Sequence, residues 1–138
     1  MSVFVSFDYE NDRHYKYLLE AWHEHPRFRF TFQDGTPGEI NSTNVGRVKA
    51  ALSAKIGLAT HTLVIVGQYA NARHRHAALI GHRNWINFEI AQSKAHFNSI
   101  VAVKLDRSYE SPDELIGANA SWAMAFTEQA VIRALSEA

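Results

Sequence analysis

Two kinds of apolar pattern alternate along this chain. Short runs of β-branched and aromatic residues are separated by stretches in which apolar residues recur every three or four positions. The first run, Val3-Phe4-Val5-Ser6-Phe7, reads as a buried strand. The polar turn at residues 8–12 supplies helix-capping side chains. Tyr15, Leu18, Leu19 and Trp22 then fall at helical spacing until Pro26 ends the pattern. Phe28-Arg29-Phe30-Thr31-Phe32 alternates with period two, which predicts a strand at a sheet edge with one polar face. Residues 33–42 contain two glycines and a proline and read as a loop.

Val45, Val48, Leu52 and Ile56 share one face of a helix that Gly57 stops. Thr62-Leu63-Val64-Ile65-Val66 is the clearest buried strand, and its unbroken apolar run suits a central position covered on both faces. Residues 68–83 are predicted to be a long mobile loop with a turn of helix at 77–79. Asn84 caps a helix over residues 85–97. On it Ile86, Ile90 and Phe97 form one apolar stripe, while Phe88, Ala91 and Ala95 form another. One stripe is expected on the sheet, the other on a neighbouring helix or a partner chain. A fourth strand follows at residues 100–105, and a short helix is expected within the turn-rich stretch 106–119, at 113–116. A short fifth strand is predicted at 122–126. Thr127 caps a last helix that turns Ala130, Val131, Ala134 and Leu135 inward.

This alternation of strand and helix predicts an α/β fold. An open, mostly parallel sheet carries helices on both faces, in three layers. Right-handed crossovers and five strands favour the flavodoxin-like order 2-1-3-4-5. Ligands of such sheets bind beyond the carboxyl ends of the strands, at the switch point between strands 1 and 3. The loops that reach it are residues 8–12, 33–42 and 68–83.

With 138 residues and neither repeats nor linkers, a single domain over 1–138 is expected. Lys plus Arg and Asp plus Glu balance at 14 each, which gives no overall pull towards nucleic acid or acidic membranes. The absence of cysteine excludes disulfides, thiol catalysis and Cys-ligated zinc. No apolar run approaches a membrane span, and the N-terminus lacks the basic and apolar regions of a signal peptide, so a cytoplasmic protein is expected.

Candidate chemistry centres on Trp85 and Glu89. They are four residues apart and share a helix face near its N-terminus. An indole beside a carboxylate can hold an aromatic, cationic ligand and stabilise positive charge developing on it. A core Trp and a Glu suited to the helix dipole would look the same in sequence. Eight histidines invite a metal reading, but His23 and His25 diverge on their helix, and His74, His76 and His82 have no Cys or carboxylate companion. No metal is expected. Arg73, Arg75 and Arg83 of the same loop could meet phosphate, as the pyrophosphate of a dinucleotide or as nucleic acid.

Taken in order, these stretches resemble a TIR domain, and most closely the bacterial TIR-like proteins of the Thoeris anti-phage type. Residues 3–7 match the opening strand, and Phe32-Gln33-Asp34 followed by Gly38-Glu39 resembles the end of the second strand and the variable loop after it. Trp85 to Ile90 matches the Trp-x-x-x-Glu-hydrophobic signature of the family's third helix, and Gly117 to Trp122 resembles the segment before the last helix. The loop before the signature helix is longer and richer in His and Arg than in the family. The resemblance implies cleavage of NAD at its nicotinamide–ribose bond, with ADP-ribose or a cyclised isomer released as a signal. NAD is then a substrate, and no cofactor is implied. Glu89 takes the catalytic position. Phe7, Asp8, Tyr9, Asp34, Glu39, Trp85 and Trp122 are candidates for the substrate pocket. Homo-oligomers and a downstream effector that senses the product are the implied partners. Two further hypotheses are a TIR-like adaptor that acts through protein contacts alone and a nucleoside deoxyribosyltransferase. A receiver domain is disfavoured, because no acidic pair follows the first strand.

Overall fold

The architecture comes from a computed structural model, which describes residues 1–22, 29–32 and 43–138. Five strands form one parallel sheet in the order β2-β1-β3-β4-β5. They are β1 (Ser2–Ser6), β2 (Arg29–Phe32), β3 (His61–Val66), β4 (Ser99–Lys104) and β5 (Ser121–Ala123). The helices are α1 (Tyr9–Asp12), α2 (His14–Ala21), α3 (Val45–Gly57), α4 (Ala77–Ile80), α5 (Trp85–Ala95) and α6 (Glu128–Glu137), with a 3-10 turn at Asp113–Leu115. The flavodoxin-like order read from the alternation is the order found. β2 is an edge strand, and β3, buried along its whole length, lies at the centre.

The period-two alternation of each strand divides the core into two layers. Val3, Val5 and Phe7, with Leu63, Ile65, Val101 and Val103, pack against Leu19 of α2 and Val131, Ala134 and Leu135 of α6. The residues between them point the other way. Phe4 meets Leu52 and Ile56 of α3, Ile80 of α4 and Trp85 and Phe88 of α5. Val64, Val66, Ile100 and Ala102 meet Ile86 and Ile90 of α5. Ile86 and Ile90 of the first stripe cover the sheet, and Phe88 of the second packs against α3 and α4, while Ala95 of that stripe is exposed.

Several boundaries differ from expectation, most by a single residue. The polar turn after β1 closes into α1, because the Asp8 side chain accepts hydrogen bonds from the N–H groups of Glu10 and Asn11. The fifth strand is short and starts one residue earlier than predicted. Helix α5 stops at Ala95, so Phe97 does not continue the Ile86–Ile90 stripe. The Asn98 N–H reaches the Ser93 carbonyl and the Phe97 N–H reaches that of Lys94, a closure that puts Phe97 at φ 60. Glycine usually fills that position. Here a phenylalanine stands there with 94% of its surface exposed. Phe97→Gly is expected to raise stability by about 1 kcal/mol, by removing the left-handed strain of a bulky residue. Urea unfolding of the two proteins checks this.

A candidate active site beneath the switch point

The strand order reverses between β1 and β3, and a cleft of about 450 Å³ opens beyond their carboxyl ends. Its first wall is the turn after β1, with Phe7, Asp8, Tyr9, Glu10 and Asn11. Phe7 is held in the core against Phe32, and Tyr9 lies on Phe7 with ring centroids 6.0 Å apart. The second wall is the segment after β3, with Tyr69, Ala72, Arg73, His74 and Arg75. The start of α5 completes it with Asn84, Trp85 and Ile86.

That second wall was expected to be a mobile loop. It is instead tied down by three asparagines. The Asn84 side chain caps α5 through the Asn87 N–H and donates to the Ala70 and Ala72 carbonyls, each at 2.9 Å. Asn87 donates to Asn84 and Asn71 and accepts the Glu114 N–H at 2.9 Å. Asn71 accepts the Asp113 N–H and donates to the Glu110 and Asp113 carboxylates. Arg83 donates to the Asn71 carbonyl, and the His74 N–H donates to that of Arg83. Every amide group of these three side chains is satisfied, so their burial rigidifies the loop. Asn71 and Asn87 escaped notice in the sequence, where polar residues beside a helix start suggest only capping.

Glu89 lies one helical turn below the cleft wall formed by Trp85 and Ile86. It is 0% exposed and does not itself line the cleft. Ser6, at the end of β1 and on the same sheet face as Phe4, donates to Glu89 Oε1 at 2.6 Å. Among the described residues Oε2 has no hydrogen-bond partner. Burial pushes the Glu89 carboxyl up to about 8, against smaller opposing pulls from the Ser6 hydrogen bond and the Lys55 charge. Neither Ser6 nor Lys55 was singled out from sequence. Ser6 could have been found by its period-two relation to Phe4; Lys55 had no signal, since its approach depends on α3 packing.

Trp85 is 5% exposed, lies edge-on to Phe88, and its indole N–H has no partner among the described residues. Asp8 lines the cleft while capping α1. Trp122 is not brought to the cleft. It sits on the edge strand β5, beyond β4, with 45% of its surface exposed. Asp34 and Glu39 lie outside the described residues, as do His23 and His25. His74 Nδ1 accepts the His76 N–H, and among the described residues no group of three or more His, Cys, Asp and Glu is placed to hold a metal ion. No helix among the described residues is long and apolar enough to cross a membrane.

Residues 4–110 match the family described as Thoeris protein ThsB, TIR-like domain. The chain belongs to that family. Membership connects this TIR-like domain with Thoeris anti-phage defence, and its sheet order fits the flavodoxin-like architecture of TIR domains. No curated protein sequence matches the chain. Among solved structures it is similar to a β-glucosidase, EmGH1 from Erythrobacter marinus, with 14% identity and a TM-score of 0.50. The match covers 85% of this chain and 21% of that one, so the TIR-like chain spans about a fifth of that structure's length, and the likeness is one of fold alone.

A second buried carboxylate stands behind the first wall. Asp12 is 8% exposed, and burial, with the Asp8 charge, raises it to about 6 against the pull of His14. It is pressed against Gly67, where any Cβ would overlap its carboxylate. Burial thus lets Glu89 and Asp12 keep their protons in the folded protein to higher pH than in the unfolded chain. From their ordinary 4.5 and 3.8 up to about 8 and about 6, the folded protein holds the extra protons. Their contribution to stability is complete below about pH 4 and is lost as pH rises through about 6 and then about 8. Thermal unfolding of Glu89→Gln across that range is expected to lose the upper part of the slope and keep the lower. Asn87→Ala leaves Asn71, Asn84 and the Glu114 N–H short of a partner, and an unfolding titration should show a loss of about 3 kcal/mol.

Proposed function

We propose that this TIR-like protein breaks the nicotinamide–ribose bond of NAD and releases ADP-ribose, linear or cyclised, as a defence signal. The observation that carries the reading is the burial of Glu89 beneath the switch-point cleft. A carboxylic acid in a core costs several kcal/mol and contributes nothing to packing that a Leu or Met would not. Groups placed at such cost, beside a cleft and with a displaced pKa, are candidates for chemistry.

The chemistry suits one carboxylate. The glycosidic electron pair leaves with the pyridinium ring, which departs as neutral nicotinamide and needs no acid to protonate it. Ordinary glycosidases need a second carboxyl for that purpose. Positive charge grows at the anomeric carbon, where an ionised Glu89 stabilises it. Oε2, unpartnered among the described residues, offers an acceptor for a ribose hydroxyl, and Ser6 holds Oε1. Water then adds at the anomeric carbon and gives its proton to Glu89, or an adenine nitrogen of the same molecule closes the ring. The cationic substrate favours the ionised form of Glu89 as it binds. Phe7, Tyr9 and Trp85 supply aromatic surface for the rings. Asp34, Glu39 and Trp122 remain candidates from a loop or a second copy of the chain, and a downstream effector reads the product.

One observation favours the adaptor reading instead: Glu89 is sealed from solvent, so turnover requires the Trp85–Ile86 wall to move. An NAD assay by chromatography and mass spectrometry separates the two. The enzyme reading expects nicotinamide release from the wild type and none from folded Glu89→Gln. It also expects kcat/KM to rise with pH through about 8, as Glu89 ionises in the free protein, and to level off above. Equal traces from both proteins point to contamination or background, and release from neither in lysate of phage-infected cells supports the adaptor.

A further inference from the structure

The two walls of the cleft are held in different ways. The second wall hangs on the buried amides of Asn71, Asn84 and Asn87, which join it to α5 and to the 3-10 turn. The polar residues of the first wall bond within their own turn. Glu10 N–H, Asn11 N–H and the Asn11 side chain all donate to the Asp8 carboxylate, and the Asp12 N–H donates to the Asp8 carbonyl at 2.8 Å. The turn meets the sheet through packing, with Tyr9 on Phe7 and the Asp12 carboxyl pressed on Gly67. The four residues of α1 are too short a helix to hold their shape unaided, so these contacts decide where the first wall stands.

Asp12 is an unusual residue for such a contact. It is buried, and its Oδ2 has no hydrogen-bond partner among the described residues. Against a bare glycine a protonated carboxyl loses less than a carboxylate, which gives up its water and receives no donor in return. The surrounding groups do not offset that loss. Asp8, in the same turn, repels the carboxylate, and His14 of α2 attracts it. Tyr15 of α2 also faces Asp12; burial, Asp12 and Tyr109 of the β4–β5 connection raise it from 10.0, so it is uncharged near neutral pH. Glu10 faces His74 across the cleft, and Arg13 is exposed. The end of β3 offers the uncharged Gly67, and Lys104, beside it at the end of β4, donates to Ser111 at 3.0 Å. Burial and Asp8 outweigh His14, and Asp12 keeps its proton up to about 6.

We propose that Asp12 is a proton-sensitive latch on the first wall of the cleft. Protonated, it seats α1 on Gly67 and holds Tyr9 and Glu10 at the cleft. Ionised, it leaves the end of β3 for water, α1 moves with it, and the cleft widens. The latch governs access to the cleft, whichever ligand enters, and does not rest on the NAD reading. Its sign follows from the direction of the shift. Seated, Asp12 holds its proton to about 6; released, it ionises at its ordinary 3.8. The seated wall is therefore favoured in full below about pH 4 and loses that advantage as pH rises through about 6. Each unit between the two values is tenfold in the ratio of released to seated wall, about a hundredfold in all.

NMR spectroscopy of the full chain from about pH 4 to about pH 8 tests the latch across that interval. It follows the Asp12 carboxyl carbon, the nuclear Overhauser contact between residue 12 and Gly67, and the backbone order of residues 9–12. In the wild type, contact and order are expected to fade together over the interval in which the carboxyl ionises. Asp12→Asn has no proton to lose there and should keep both throughout. Gly67→Ala puts a methyl group where the carboxyl sits and should release α1 at every pH. Unchanged signals from β4 and α6 confirm that each variant is folded. A wild-type contact that persists to the upper end of the range overturns the latch. So does a loss that Asp12→Asn repeats, or an Asp12 carboxyl that ionises at its ordinary pH.

Discussion

A hydroxyl at the end of the first strand meets a carboxylic acid inside the third layer, and the switch-point end of this protein is arranged around that contact. Ser6 can reach Glu89 only because β1 sits beside β3 with Phe4 and Ser6 turned towards α5. The bond is short and buried, yet among the described residues only one oxygen of the carboxyl is satisfied. A buried carboxyl oxygen without a partner among the described residues is the exception among buried polar groups and calls for an explanation. Burial also raises the Glu89 carboxyl to about 8, so the group is mostly protonated at neutral pH.

The asparagine network makes that arrangement rigid. Asn84 starts α5 and Asn87 follows one turn on, so the helix that carries Glu89 and the loop that carries Arg73 and Arg75 are held by the same bonds. The network also reaches the 3-10 turn at Asp113–Leu115, which links the β4–β5 connection to the site without entering it. A disturbance at that turn therefore bears on both the helix that carries Glu89 and the second wall of the cleft. The other wall has its own anchor: Asp12 fills the space that the missing side chain of Gly67 leaves, and so sets α1 against the end of β3.

Much of the fold was legible in the sequence because burial leaves periodic marks. The unbroken run at residues 62–66 announced a central strand, and Phe28 to Phe32 an edge. Thr127 and Asn84 announced helix starts that their side chains do cap. Right-handed crossovers then left few strand orders to choose from. The Trp85–Glu89 spacing and the four ordered stretches led to the family that residues 4–110 match. Where pattern misled, a local geometry had overridden it: the helix closure that exposes Phe97, and the Asx cap that turns a polar stretch into α1.

The sequence by itself determined the alternation of strand and helix, the topology and the candidate carboxylate, because each follows from local periodicity, chain chirality or a short motif. Only the tertiary structure decided how that carboxylate lives. Ser6 is 83 positions away from Glu89 in sequence, and Asn71 is 42 away from Asp113. No local pattern encodes contacts made by chain segments that meet only when the sheet closes. For the same reason the structure alone could separate Trp85, which lines the cleft, from Trp122, which stands on the far edge of the sheet. In sequence both are aromatic residues beside a helix or strand. Their difference lies in which end of which strand the parallel sheet gives them.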